Sequence, residues 1–94
     1  MAKVARRWAV HGRVQGVGFR MHVYKHATRL GLAGTVRNLE DRSVEVIAVG
    51  TKEQLEELEE KLRKGPLFSK VDRLNSQEIA ADDDLADSDF QILR

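Results

Sequence analysis

Three glycines, Gly12, Gly16 and Gly18, stand between a segment patterned as a strand and a segment patterned as a helix, with no linker on either side. Residues 7–14 alternate: Trp8, Val10 and Val14 point one way, His11 and Arg13 the other, which is the period of a strand. In residues 19–30, Val23, Ala27 and Leu30 recur at helical spacing and Gly31 follows as a stop signal. The chain must therefore pass from strand to helix within a few residues. Glycine makes such turns because it reaches backbone conformations that a Cβ forbids, and because it lets a ligand approach the main chain.

The rest of the chain extends this alternation. Two short β-prone runs, 33–39 and 43–49, flank Glu40-Asp41-Arg42 and predict a hairpin. Residues 52–64 carry Leu55, Leu58 and Leu62 on one helical stripe, with Glu and Lys elsewhere, and Gly65-Pro66 ends the segment. A strand is expected within 69–79, a solvated acidic loop over 82–89, and a short closing strand over 90–93. The order β-α-β-β-α-β with a terminal β repeats strand-helix-strand twice, the ferredoxin-like split βαβ arrangement. The expected fold is α+β: one antiparallel sheet with two helices on one face, forming a single domain over residues 1–94.

Composition narrows the setting. The 94 residues fit one domain, and 41% hydrophobic with 33% charged is a globular balance. With no cysteine, disulfide frameworks, thiolate metal sites and cysteine nucleophiles are excluded. No apolar run approaches the ~18 residues of a membrane span, and MAKVARRWAVHG has no apolar core of a secretory signal. A whole, small, cytoplasmic protein is the expectation. The net charge of +1 is unevenly spread. Residues 1–39 hold eight bases and no acid, residues 40–94 eight bases and all 15 acids, giving +8 and −7. Handling of an anion by the N-terminal half and a chance distribution of surface charge both fit this asymmetry.

The glycine loop points to the anion more directly. Its amide N–H groups can converge into an anion nest, and the helix that follows adds unpaired N–H groups and a positive dipole end. Arg20 falls in the first turn of that helix, where a cation opposes the dipole unless an anion sits between them. A guanidinium also matches phosphate oxygens in a fork. The same residues fit a tight turn bearing an exposed arginine, and taken alone they leave both readings open. The loop is not a Walker A sequence, since no Gly-Lys-Ser/Thr follows, and its glycine spacing is not that of a dinucleotide fingerprint.

Val10-His11-Gly12-Arg13-Val14-Gln15-Gly16-Val17-Gly18-Phe19-Arg20 closely resembles the first signature of the acylphosphatases. Gly34-Thr35-Val36-Arg37-Asn38, followed by Val44-Glu45-Val46 and Gly50, resembles the second, and Gly65-Pro66 with Val71-Asp72 resembles the segment after the family's second helix. The resemblance runs over nearly the whole chain. It implies hydrolysis of the carboxyl–phosphate bond of small acyl phosphates by a βαββαβ sandwich without metal or organic cofactor. By the same resemblance, Arg20 binds phosphate together with the loop amides of Gln15, Gly16, Val17, Gly18 and Phe19, and Asn38 positions the attacking water.

Two positions depart from the family pattern. Thr35 stands where an aromatic residue is usual, and Arg42 where the hairpin usually has glycine. If that turn position needs φ > 0, arginine costs roughly 1–2 kcal/mol there. Other residues draw plainer readings. His22 and His26, at i and i+4 on one helix, are a metal-pair spacing, but with no acid in the first 39 residues they are expected on the helix face. His11 is expected to be structural, Trp8 core, Phe19 a plug between helix and sheet, and Arg13 exposed. A non-catalytic phosphate-binding module of the same fold is the alternative function. A nucleic-acid binder would need aromatics on the sheet, and only 5% of residues are aromatic. Neither a nucleic-acid nor a membrane partner is expected, and a monomer is.

Overall fold

The computed structural model describes residues 3–93. Met1, Ala2 and Arg94, the ends of the expected 1–94 domain, lie outside the described residues. In chain order the elements are β1 (Val4–Arg13), α1 (Phe19–Arg29), β2 (Ala33–Asn38), β3 (Val44–Gly50), α2 (Lys52–Lys64), β4 (Lys70–Ile79), α3 (Asp83–Ala86) and β5 (Phe90–Ile92). They form one sheet in the order β4-β1-β3-β2-β5.

The alternation in β1 sorts its residues cleanly. Trp8 and Val10 are fully buried against the helices, as is Val14 just beyond the strand. They meet Val23 and Ala27 of α1, Leu55, Leu58 and Leu62 of α2, and Val36, Val44 and Val46 of the central strands. The α2 stripe is held in phase by a capping box: Thr51 and Gln54 exchange side-chain and main-chain hydrogen bonds, and Gly65 closes the C-terminus. Gln54 Nε2 also donates to the carbonyl of Leu30, 2.7 Å away, tying α2 to the end of α1. That end is shaped by Gly31 at φ 74, with Leu32 N donating back to Ala27 O.

Two features differ from expectation. The sheet is mixed rather than antiparallel: β1–β3, β1–β4 and β2–β3 pair antiparallel, but β5 runs parallel to β2. The reason lies in the connection. β4 occupies one edge and β5 the other, so residues 80–89 must carry the chain back across the sheet. Within that stretch the acidic loop forms the short helix α3, started by Asp82, whose side chain accepts from Asp84 N. Leu85 and Ala86 pack on Ala5, Ala33 and Val49. These sheet residues are opposite in alternation to Trp8 and Val46, so α3 covers the face that α1 and α2 leave open. Two isolated apolar residues in an acidic stretch are a weak signal, but they suffice to dock one turn of helix.

β1, β2 and β5 run in the same direction, each reversed relative to β3 and β4. Their C-terminal ends therefore gather at one end of the sheet, where α1 begins.

Candidate active site

The loop leaves β1 under a local constraint. The register of β1 on β4 shifts between His11 and Gly12, and Gly12 adopts φ 127 with its backbone pressed against the Lys70 carbonyl, where a Cβ would collide. Val14 then anchors in the core. Gly16 and Gly18 follow at φ 75 and φ 79, left-handed conformations of the kind from which anion nests are built. Gly18 is the N-cap of α1 and offers no side-chain cap, and the first turn of α1 carries no acid. The first helical amides are thus left for an external acceptor. Phe19, fully buried, fixes the helix start as the expected plug, and Arg20 emerges beside it.

Arg20 is half-buried. One N–H of its guanidinium, on Nη1, donates to the carbonyl of Leu93 at 3.1 Å. That bond ties the side chain to the residue after β5, and the remaining N–H groups have no partner among the described residues.

Asn38 ends β2. Its Oδ1 is buried and accepts no hydrogen bond from any described residue, a costly state for an amide oxygen without a donor. The hairpin that follows sets its position. Leu39 N donates to Ser43 O at 2.9 Å and Arg42 N to Leu39 O at 3.1 Å, with Arg42 at φ 75. This is a tight turn followed by a left-handed residue, so the position does require φ > 0. Asp41 braces the turn by accepting from the hydroxyl and amide of Ser43. The hydroxyl bond, then the amide bond, lowers the Asp41 pKa.

Gly16, Gly18, Phe19, Arg20 and Asn38 together line one cavity of about 630 Å³, with Val14, Met21 and Ile92. Five of the residues singled out in the sequence are thereby brought together. Gln15 and Val17 are not among the lining. The Gln15 side chain turns to the hairpin, donating to the carbonyls of Leu39 and Ser43, each at 2.9 Å. Val17 packs on the core. Met21 and Ile92 went unnoticed in the sequence. The position of Met21 beside Arg20 was a usable signal, whereas Ile92 reaches the site only through the β2–β5 pairing. Thr35 lies in mid-strand opposite Ile47 and Gln91, away from the cavity. His22 Nε2 lies 3.0 Å from the carbonyl of Lys61, and its ring meets that of His26 edge-on. Burial, then the neighbouring His22, lowers the His26 pKa. Among the described residues no cluster of three or more His, Asp or Glu forms around them. His11 is half-buried opposite Arg73, and Arg13 is exposed at the end of β1.

The sequence model of the acylphosphatase family matches residues 6–92. The chain belongs to the acylphosphatase family. An acylphosphatase of Solibacter usitatus is 51% identical over 76 residues, covering 81% of this chain and 79% of that one. The crystal structure of acylphosphatase from Bacillus subtilis superposes with a TM-score of 0.90 at 36% identity, covering 97% and 99% of the two chains. The same fold forms a small part of HypF, whose full-length crystal structure in a phosphate- and nucleotide-bound form matches with a TM-score of 0.86 at 25% identity over 99% of this chain and 12% of that one. Acylphosphatases are hydrolases of small acyl phosphates, and this chain is one of that class. No described helix is long and apolar enough to cross a membrane.

Proposed function

We propose that the glycine loop and Arg20 hold the phosphoryl group of an acyl phosphate while Asn38 orients the water that attacks it. The observation that carries this reading is that Asn38, whose buried Oδ1 has no hydrogen-bond partner among the described residues, lines the same cavity as Gly16, Gly18 and Arg20. A water held in that cavity by the Asn38 side-chain amide has its oxygen lone pair aimed at phosphorus. As the new P–O bond forms, the bond from phosphorus to the acyl oxygen breaks and the carboxylate leaves with the electron pair. Charge shifts onto the phosphoryl oxygens and the leaving group, within reach of the loop amides and the guanidinium. Neither Arg20 nor Asn38 can take a proton at neutral pH; the resemblance to the acylphosphatases implies that a phosphoryl oxygen of the substrate takes the water's proton.

The reading needs no metal or organic cofactor and no nucleic acid or membrane partner. A monomeric, cytoplasmic protein is proposed along with it. Hydrolysis of benzoyl phosphate in EDTA, followed by ultraviolet absorbance, tests it. Arg20→Gln and Asn38→Ala are each expected to lose at least about 100-fold in kcat, the scale of losing one oxyanion donor. Folded wild-type protein that binds inorganic phosphate without turnover would instead support the non-catalytic phosphate-binding module. Wild-type-like turnover by Arg20→Gln would refute its role.

A further inference from the structure

The phosphoryl cradle accounts for only half of the cavity lining. Gly16, Gly18, Arg20 and Asn38 belong to the cradle, and the other four lining residues, Val14, Phe19, Met21 and Ile92, are apolar. Val14 and Phe19 are fully buried. Met21 and Ile92 are 52% and 37% exposed. Exposed apolar side chains that line a cavity together offer surface for the apolar part of a ligand. Of the described residues, five large hydrophobics are exposed: Met21, Leu67, Phe68, Ile92 and Leu93. Two of them line this cavity, and a third, Leu93, is the residue whose carbonyl Arg20 grips.

The charges at the site are equally one-sided. Arg20 is the single charged residue among the lining. Once a phosphoryl group engages it, no cation in the lining remains for a second anion on the same substrate. A phosphoryl group fills a minor part of about 630 Å³, which leaves room for the acyl half beside the apolar lining residues.

We infer that Met21 and Ile92 form an acyl-binding platform that selects acyl phosphates with an uncharged, apolar acyl group over those bearing a further carboxylate or phosphate. The inference rests on the acyl phosphate hydrolysis proposed above. It assigns specificity to two residues with no part in the chemistry.

The test is kcat/KM on acetyl, butanoyl and hexanoyl phosphate, whose leaving groups have nearly equal basicity, and on succinyl phosphate, which matches butanoyl in length but ends in a carboxylate. In the wild type, kcat/KM is expected to rise about tenfold from acetyl to hexanoyl, less than full burial of the added methylenes gives because the platform stays half open. Butanoyl should exceed succinyl by a similar factor. Met21→Ala/Ile92→Ala, checked for folding by circular dichroism, should flatten the chain-length series to within about twofold. Met21→Lys should reverse the butanoyl-to-succinyl ratio. A flat wild-type series, or a slope that survives in the double variant, overturns the platform while leaving the hydrolase reading intact. Failure of the wild type to turn over any of the four compounds overturns the hydrolase reading and the platform with it.

Discussion

The side-chain amide of Gln15 donates to the main-chain carbonyl of Ser43 across 2.9 Å, and the same nitrogen reaches the carbonyl of Leu39. One residue of the glycine loop thus grips both arms of the turn that follows Asn38. Each carbonyl also has a main-chain donor, Arg42 N on Leu39 and Leu39 N on Ser43. Removing the glutamine therefore orphans neither of them. Gln15→Ala is expected to cost about 1 kcal/mol in stability, the net worth of ordinary hydrogen bonds. The loss in kcat should be larger, about tenfold, because the cradle and the water-orienting group are no longer held in register. Urea unfolding and benzoyl phosphate kinetics on the same preparation separate the two effects.

Gly12 and Gly16 serve the same loop for different reasons, and alanine tells them apart. A Cβ on Gly12 would run into the carbonyl of Lys70, whereas one on Gly16 meets nothing within 4 Å. Gly12→Ala must separate β1 from β4 and should cost at least about 3 kcal/mol. Gly16→Ala should cost only about 1–2 kcal/mol, the strain of a left-handed alanine. Gly16 lines the cavity, so kcat/KM should fall by at least about tenfold. Thermal unfolding followed by the fluorescence of Trp8, the single tryptophan and fully buried, gives the stabilities. Equal stability losses in the two variants would contradict this division.

The parts of the fold legible in the sequence are those that a repeating pattern encodes. The leucine stripe of α2 and the alternation around Trp8 each bury a continuous face, so period alone located them. The parallel pairing of β5 and the docking of α3 were not legible, because three residues of strand and one turn of helix carry no period. Their places depend on which sheet edge and which open face remain after the rest has folded. The site divides in the same way. Arg20 and the glycines announce themselves by being contiguous in the chain. Asn38 is tied to them by resemblance in sequence, and by physics only once the hairpin and the Gln15 bridge place it in the cavity. Ile92 arrives from the far end of the chain through strand pairing, which no local signal encodes.

Arg42 holds φ 75 on an exposed hairpin, a conformation that costs a side chain roughly 1–2 kcal/mol. The turn is kept by its own hydrogen bonds and by Asp41 bracing Ser43. Arg42→Gly is therefore expected to stabilise the protein by about 1 kcal/mol, part of the relieved strain being offset by the greater entropy of glycine in the unfolded chain. Activity should be unchanged or higher, since the residue is not among the cavity lining. A lower unfolding midpoint for Arg42→Gly would show that the arginine side chain makes a stabilising contact outweighing the strain.

Glu45 on β3 lies between two arginines, with Arg7 Nε at 2.8 Å and Arg37 Nε at 2.9 Å. Burial pushes its carboxyl pKa up, but the hydrogen bonds from Arg7 and Arg37 outweigh this and leave it below the ordinary 4.5. As the pH falls, the unfolded chain binds this proton before the folded one does. The stabilisation is complete above about pH 4.5 and is lost as the pH falls through the folded-state pKa. At neutral pH, Glu45→Gln leaves the two guanidinium groups without their shared counter-charge and should cost about 2 kcal/mol. Below the folded-state pKa the wild type has lost the same charge, so the two proteins should converge in stability. Urea midpoints from pH 7 to pH 3, compared between wild type and Glu45→Gln, read this difference directly while the other carboxylates cancel. A gap that stays constant across that range would mean that packing of the Glu45 side chain, and not its charge, holds β1, β3 and β2 together on the outer face.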